Sequence, residues 1–132
     1  MQRYLLDTNT VSYIIKGNIT ALVHLQSVPM ASLCISSITC AELQYGLAKR
    51  PNAHKLRLAV NEFLVRVEVL PFHQQTALSY ADLCSRSELS GKNLSQLDML
   101  IASHAYSISA VLVTSDNAFQ QIQGLVVEDW TR

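Results

Sequence analysis

Apolar and polar positions along the chain change period repeatedly, and the changes mark off alternating strands and helices. Residues 3–7, "RYLLD", hold Leu5 and Leu6 in a short apolar run that predicts a first strand. Helical spacing follows over 10–16 and 19–27, split by the turn pair Gly17-Asn18. "LCIS" at 33–36 predicts strand two, and the spacing turns helical again from 38 to 50. Pro51 ends that helix or starts the next, which covers 52–66. Strand three is predicted over 67–70 and closed by Pro71. A long helix over 73–90 runs to Gly91, and Ser95 opens another that runs to 109. Residues 111–114 predict strand four, 117–122 a short helix and 125–127 a fifth strand, followed by the acidic tail "EDW".

Strands alternating with helices imply βαβ units, and hence a parallel sheet covered on both faces. The predicted fold class is α/β, a three-layer α/β/α sandwich with a four- to five-stranded, mainly parallel sheet. The 132 residues suit one domain, 1–132. Strands one and four are near-continuous apolar runs, as strands buried on both faces are. Sites in such sheets form beyond the carboxyl ends of the strands. Asp7 lies at one such end and Asp116, in "VLVTSDN", just past another. If strands one and four are neighbours, these two acids come within reach of each other.

Composition narrows the class. Apolar residues make up 49% and charged residues 15%, which describes a globular chain. No apolar run is long enough to span a bilayer, and Asp7 interrupts the only candidate leader, so neither a membrane span nor a signal peptide is expected. Cys34, Cys40 and Cys84 are odd in number and lack C-x-x-C spacing, which predicts reduced thiols and a cytoplasmic location. No histidine stands at zinc-ligand spacing to a cysteine. The formal net charge is +0. Four acids converging on one site would leave ten basic residues against six acids elsewhere, a surface suited to phosphates around an acidic pocket.

Spacing sorts the acids. Glu62 with Arg66, Asp82 with Arg86 and Glu88 with Lys92 read as surface pairs on helices. Glu68 points outward from a strand, and Glu128 and Asp129 are tail charges. Glu42 differs. It shares a helix face with Ile38, Ala41 and Tyr45, and no base stands three or four residues on. It either turns to water at the edge of the apolar stripe or needs a cation. Asp98 completes an S-x-x-D capping box from Ser95, yet also lies on the face of Ile101, Ala102 and Ala105. Capping and ligation are compatible. Asp7 and Asp116 each fit a turn or N-cap as well as a site. Carboxylates brought together repel unless protonated or bridged by a metal, and hard oxygen ligands favour Mg²⁺ or Mn²⁺.

Four blocks of sequence, in order, carry a resemblance. "YLLDTN" at the start, "CISSITCAELQYGLAK", "LDMLIASHA" near residue 100 and "LVTSDNAFQQIQGLVVEDW" at the end closely resemble the PIN-domain VapC toxins, the ribonuclease halves of bacterial type II toxin–antitoxin modules. The resemblance spans essentially the whole chain. It implies a parallel α/β/α sandwich and a Mg²⁺- or Mn²⁺-dependent endoribonuclease. Asp7, Glu42, Asp98 and Asp116 are then the first to fourth catalytic acids. Family members typically cut transfer RNA in the anticodon region, are blocked by a cognate VapB-type antitoxin, and often form homodimers. Ser95 and Gln96 stand where many relatives have Gly or Pro, and Asp116 is the only acid between strand four and Glu128.

On that reading Asp7 and Asp98 bind a metal directly, and Glu42 and Asp116 complete the pocket. Thr8, Asn9, Thr114 and Ser115 orient ligands or substrate. Lys49, Arg50, Arg86 and Lys92 are candidates for RNA phosphate contacts, Arg86 and Lys92 beside the approach to Asp98. Tyr13, Tyr45, Tyr80 and Phe63 read as core or interface, and His104 as a packed helix residue. A phosphoacceptor receiver domain is a rival, but the chain lacks its paired acids after strand one and its strand-end lysine. A PIN-like module that binds without cutting is the other rival, and the presence of all four acids argues against it.

Overall fold

Five short parallel strands form one sheet in the order β3-β2-β1-β4-β5. The computed structural model describes residues 1–88 and 94–132. The strands are β1 (Tyr4–Leu6), β2 (Leu33–Ser36), β3 (Glu68–Leu70), β4 (Val111–Val113) and β5 (Val127–Glu128). The helices are α1 (Thr8–Ile15), α2 (Ile19–Gln26), α3 (Ser37–Ala48), α4 (His54–Arg66), α5 (Gln74–Glu88) and α6 (Gln96–Ser107). Short 3₁₀ turns occupy Met30–Ser32 and Asn117–Gln121. The expected stop of α5 at Gly91, the pairing of Glu88 with Lys92 and the expected phosphate contact at Lys92 lie outside the described residues.

Side-chain alternation along the strands makes the three layers. Leu6, Leu33, Ile35, Val111 and Val113 point to one face and pack with Val11, Ile14, Leu43, Leu47, Val60 and Phe63 of α1, α3 and α4. Leu5, Cys34 and Leu112 point to the other, against Leu83 of α5 and Met99, Ala102 and Ala105 of α6. Each central strand therefore buries both faces, which is why its sequence reads as a continuous apolar run. At roughly 25 cal/mol per Å² of apolar surface, a fully buried leucine such as Leu5 or Leu6 contributes about 1.5–3 kcal/mol.

Three details differ from the sequence expectation. Helix α1 begins at Thr8, two residues early, because the Asp7 carboxylate caps it. β5 is shifted to Val127–Glu128: Leu125 N–H closes a turn on Ile122 C=O, and pairing starts with Leu112 N–H donating to Val126 C=O. The tail is packed, not solvated. Trp130 is buried, stacks on His24 at 5.9 Å and lies 5.6 Å from Tyr4, while its indole N–H donates to Glu128 at 3.0 Å. Glu68 is exposed as expected, but Arg3, just before β1, answers it at 2.6 Å. Among the aromatic residues Phe63 is core, whereas Tyr45 is 65% exposed. All three cysteines are free, and burial pushes the Cys34 thiol up to about 11. Among the described residues, no helix is long and apolar enough to cross a membrane.

Candidate active site

The carboxyl ends of β1 and β4 lie side by side, with Leu6 opposite Val113. Asp7 and Thr114 therefore follow neighbouring strands. Asp7 N–H donates to Val113 C=O at 3.0 Å, and the buried Thr10 hydroxyl donates to the same carbonyl at 2.9 Å. The Asp7 Oδ1 accepts from Thr10 N–H at 2.8 Å, so the first acid is also the N-cap of α1. The N-cap role weighed for it is therefore present.

Asp7 is only 6% exposed. Burial pushes its carboxyl above the ordinary carboxylate range, and the negative charge of Asp98 pushes the same way. Hydrogen bonds with the Thr114 side chain and with Thr10 oppose the rise. Asp98 sits in the first turn of α6, half-buried, inside its expected capping box. Its N–H donates to Ser95 Oγ at 3.1 Å, and Ser95 N–H donates to Asp98 Oδ2 across a long 3.4 Å. Among the described residues no basic side chain forms an ion pair with Asp7 or Asp98.

Glu42 faces the same region from α3. Thr8 Oγ1 donates to Glu42 Oε1 at 2.5 Å and lies 3.4 Å from Thr39 Oγ1. Glu42 is half-buried and partnered by the residue that follows Asp7. Asp116 is more remote. It is exposed, its Oδ1 caps the 3₁₀ turn by accepting from Ala118 N–H at 2.9 Å, and its own N–H donates to Thr114 Oγ1 at 3.1 Å. Thr114 thus links the backbone of the fourth acid to the carboxylate of the first. Ser115 lies half-buried between them.

Among the described residues, no three His, Cys, Asp or Glu side chains meet in a ready-made cage. The donor set still suits a hard cation. Mg²⁺ keeps several waters and takes one or two protein carboxylates, and buried Asp7 beside half-buried Asp98, with no basic partner among the described residues, offers that.

A cleft of about 450 Å³ opens beside Glu42, between α1, α3 and α4. Thr8 and Asn9 line its acidic end, and Lys49 and Arg50 belong to its lining too. The same cleft takes Ser12 and Lys16, which the sequence reading missed. The signal was available: Asn9, Ser12 and Lys16 repeat at helical spacing along one face of α1. Arg86 is placed differently from the expectation. Its pair with Asp82 forms as expected, at 3.2 Å, but the guanidinium also reaches Gln123 C=O and stands 5.7 Å from the Tyr106 ring centroid. Tyr106 is eight residues beyond Asp98 on α6, about 12 Å along the helix. Arg86 is therefore engaged at the opposite end of α6 from the acids.

Beneath the acids, His104 is buried as expected for a packed helix residue, with its Nδ1 2.7 Å from Ser36 Oγ. Burial, with His73 nearby, pushes its pKa down to about 4.

The family model of the PIN domain matches residues 4–125. The chain is 36% identical over 132 residues to the "tRNA(fMet)-specific endonuclease VapC" of Salmonella typhimurium, covering 98% of this chain and 99% of that protein. It is 30% identical over 131 residues to "Ribonuclease VapC2" of Haemophilus influenzae, covering 98% of this chain and 99% of that one. The solved structure of VapBC2 from Rickettsia felis, bound to a DNA fragment from its promoter, contains a chain that superposes with a TM-score of 0.89 at 34% identity, over 98% of this chain and 99% of that one. The parallel sheet, the acids at its carboxyl edge and these similarities together establish that the chain belongs to the PIN-domain family and, within it, to the VapC proteins.

Proposed function

We propose that this chain is the toxin of a type II toxin–antitoxin module, a Mg²⁺- or Mn²⁺-dependent endoribonuclease that cuts transfer RNA in the anticodon stem-loop. The observation that carries the reading is the electrostatic state of Asp7. A carboxylate is buried at a strand end beside a second acid, and among the described residues no base pairs with either. Such a pair is costly for folding alone and is suited to a divalent cation. The names of similar proteins, a ribonuclease and a transfer RNA endonuclease, support RNA as substrate.

Asp7 and Asp98 would hold the cation. When bound, it supplies charge stabilisation to the phosphoryl group and lowers the pKa of water. The protein residues do the rest. Thr10 and Thr114 fix the Asp7 carboxylate through hydrogen bonds, and the capping box fixes Asp98. Thr8 holds Glu42 so that its second oxygen is left for water or substrate. Asp116 adds negative charge at the outer edge, its backbone N–H held by Thr114 Oγ1. Water adds in line to phosphorus and the P–O3′ bond breaks, leaving 5′-phosphate and 3′-hydroxyl ends. Lys49 and Arg50 hold RNA phosphates on the cleft side.

The similarity to a VapBC assembly supports a VapB-type antitoxin as partner, and we assign the protein to the cytoplasm as a homodimer. The reaction is tested by incubating purified protein with total transfer RNA and mapping fragment ends. Discrete fragments with 5′-phosphate ends are expected. A 2′,3′-cyclic phosphate on the upstream fragment would refute hydrolysis by water and place the 2′-hydroxyl as nucleophile.

A further inference from the structure

The cleft between α1, α3 and α4 has a composition that phosphodiester hydrolysis alone does not require. Its floor is apolar, with Leu43, Leu47 and Val60 buried there. One end is the hydroxyl and amide row of Thr8, Asn9 and Ser12, next to Glu42. The other end holds three basic residues, Lys16, Lys49 and Arg50. Four other cations, Arg3, Arg66, Arg86 and Arg132, each pair with an acid, and Lys55 and Arg57 lie on α4 outside the cleft lining. Lys16, Lys49 and Arg50 form no ion pair among the described residues, and Lys49 stands over the Tyr45 ring at 4.6 Å, which fixes it at the cleft rim.

Gly46 is the second observation. It lies within α3, where glycine weakens a helix relative to alanine. It lines the cleft, and a Cβ built there meets nothing within 4 Å. Local packing does not require glycine at this position. A larger residue would take space from the cleft instead.

We infer that this cleft is a nucleotide subsite, which receives one unpaired nucleotide of the RNA next to the scissile phosphate. The inference rests on the nuclease reading above. The volume of about 450 Å³ falls within the range of small-molecule sites, about 300–1,000 Å³. An apolar floor accepts a base face, the hydroxyl and amide row meets ribose or base edges, and the three cations meet the adjoining phosphate. Thr8 and Glu42 belong to both the cleft and the acid cluster, so a nucleotide seated here delivers its neighbouring phosphate toward Asp7.

The test uses fluorescently labelled short oligoribonucleotides in EDTA, read by anisotropy, with Gly46→Leu, Gly46→Ala and the double variant Lys49→Ala/Arg50→Ala. Leucine is a good helix former, so Gly46→Leu should keep the melting temperature and Mn²⁺ affinity of the wild type. Its RNA affinity should fall at least tenfold, as should that of the double variant, with Gly46→Ala falling between. An oligonucleotide carrying one abasic residue at the seated position should bind the wild type as weakly as intact RNA binds Gly46→Leu. Wild-type RNA affinity in a folded Gly46→Leu protein would overturn the subsite. Metal-dependent cleavage that Asp7→Ala abolishes and Gly46→Leu does not impair would leave the nuclease standing and remove the subsite. RNA bound through the cleft by a protein that never cuts would do the reverse. A Gly46→Leu protein that cuts normally but escapes antitoxin would assign the cleft to a peptide and also overturn the proposal.

Discussion

His104 Nδ1 lies 2.7 Å from Ser36 Oγ, and this one buried contact joins the helices that carry Asp98 and Glu42. Ser36 is the N-cap of α3 and accepts from Ile38 N–H at 3.1 Å, while His104 is on α6. Removing the imidazole opens a cavity and leaves a buried hydroxyl short of a partner. His104→Ala is expected to destabilise the protein by roughly 2–4 kcal/mol in urea unfolding.

The same histidine gives the fold an acid sensitivity. The folded protein keeps it neutral down to about pH 4, whereas its ordinary value is 6.5. Between these values the unfolded chain binds more protons, so stability falls as pH falls through the window and is complete above it. The loss is on the order of 3 kcal/mol from end to end. Urea unfolding at a series of pH values from 4.5 to 7.5 measures it, and the slope should largely vanish in His104→Phe.

Asp7 works against the stability of the metal-free fold. Its carboxylate is raised by burial and by Asp98. Asparagine keeps an Oδ1 to accept from Thr10 N–H and removes the charge. Asp7→Asn is expected to raise the melting temperature in EDTA while abolishing cleavage. An unchanged or lower melting temperature would contradict a charge held there at a cost to folding.

Thr8 and Glu42 make a second local test. Thr8→Val deletes the donor to Glu42 Oε1 and keeps the shape. RNA cleavage should drop about tenfold, near the 1.4 kcal/mol that a charged hydrogen bond contributes. Thr8→Ser, which keeps the hydroxyl, should restore most of it.

Asp116 separates capping from charge. Asp116→Asn retains an acceptor for Ala118 N–H and should melt like the wild type, with cleavage reduced about tenfold. Asp116→Ala should lose a further 1 kcal/mol or so of stability, the usual cost of a lost cap. Cleavage by Asp116→Asn at the wild-type rate would make the fourth acid a cap alone.

Period and punctuation made the sheet and most helices legible, because strands buried on both faces must be apolar throughout. Two apolar strands that each end near an acid made β1 and β4 possible neighbours, and they do pair, but the side chain brought to Asp7 is Thr114, while the expected Asp116 is exposed and caps the next turn. What stayed hidden depends on partners far away in sequence. The answer of Arg3 to Glu68 needs the strand order, and the engagement of Arg86 with Tyr106 and Gln123 needs the packing of α5 on α6. The start of β5 was ambiguous because Leu125, Val126 and Val127 are equally apolar, and only the turn at Ile122 decides which of them pair. Trp130 looked like tail because its partners, Tyr4 and His24, lie more than a hundred residues earlier. The capping box of Asp98 was legible, since it is a local pattern.

On the proposed reading, Asp7 and Asp98 hold the cation of an RNA-cutting centre. The most direct measurement is cleavage of total transfer RNA by the purified, antitoxin-free protein in Mg²⁺, in Mn²⁺ and in EDTA, alongside folded Asp7→Ala and Asp98→Ala. Discrete fragments that need the metal and fall by at least a hundredfold, about 2.7 kcal/mol, in either variant are the expected result. Cleavage that persists in EDTA and in both variants would contradict the assignment of the site.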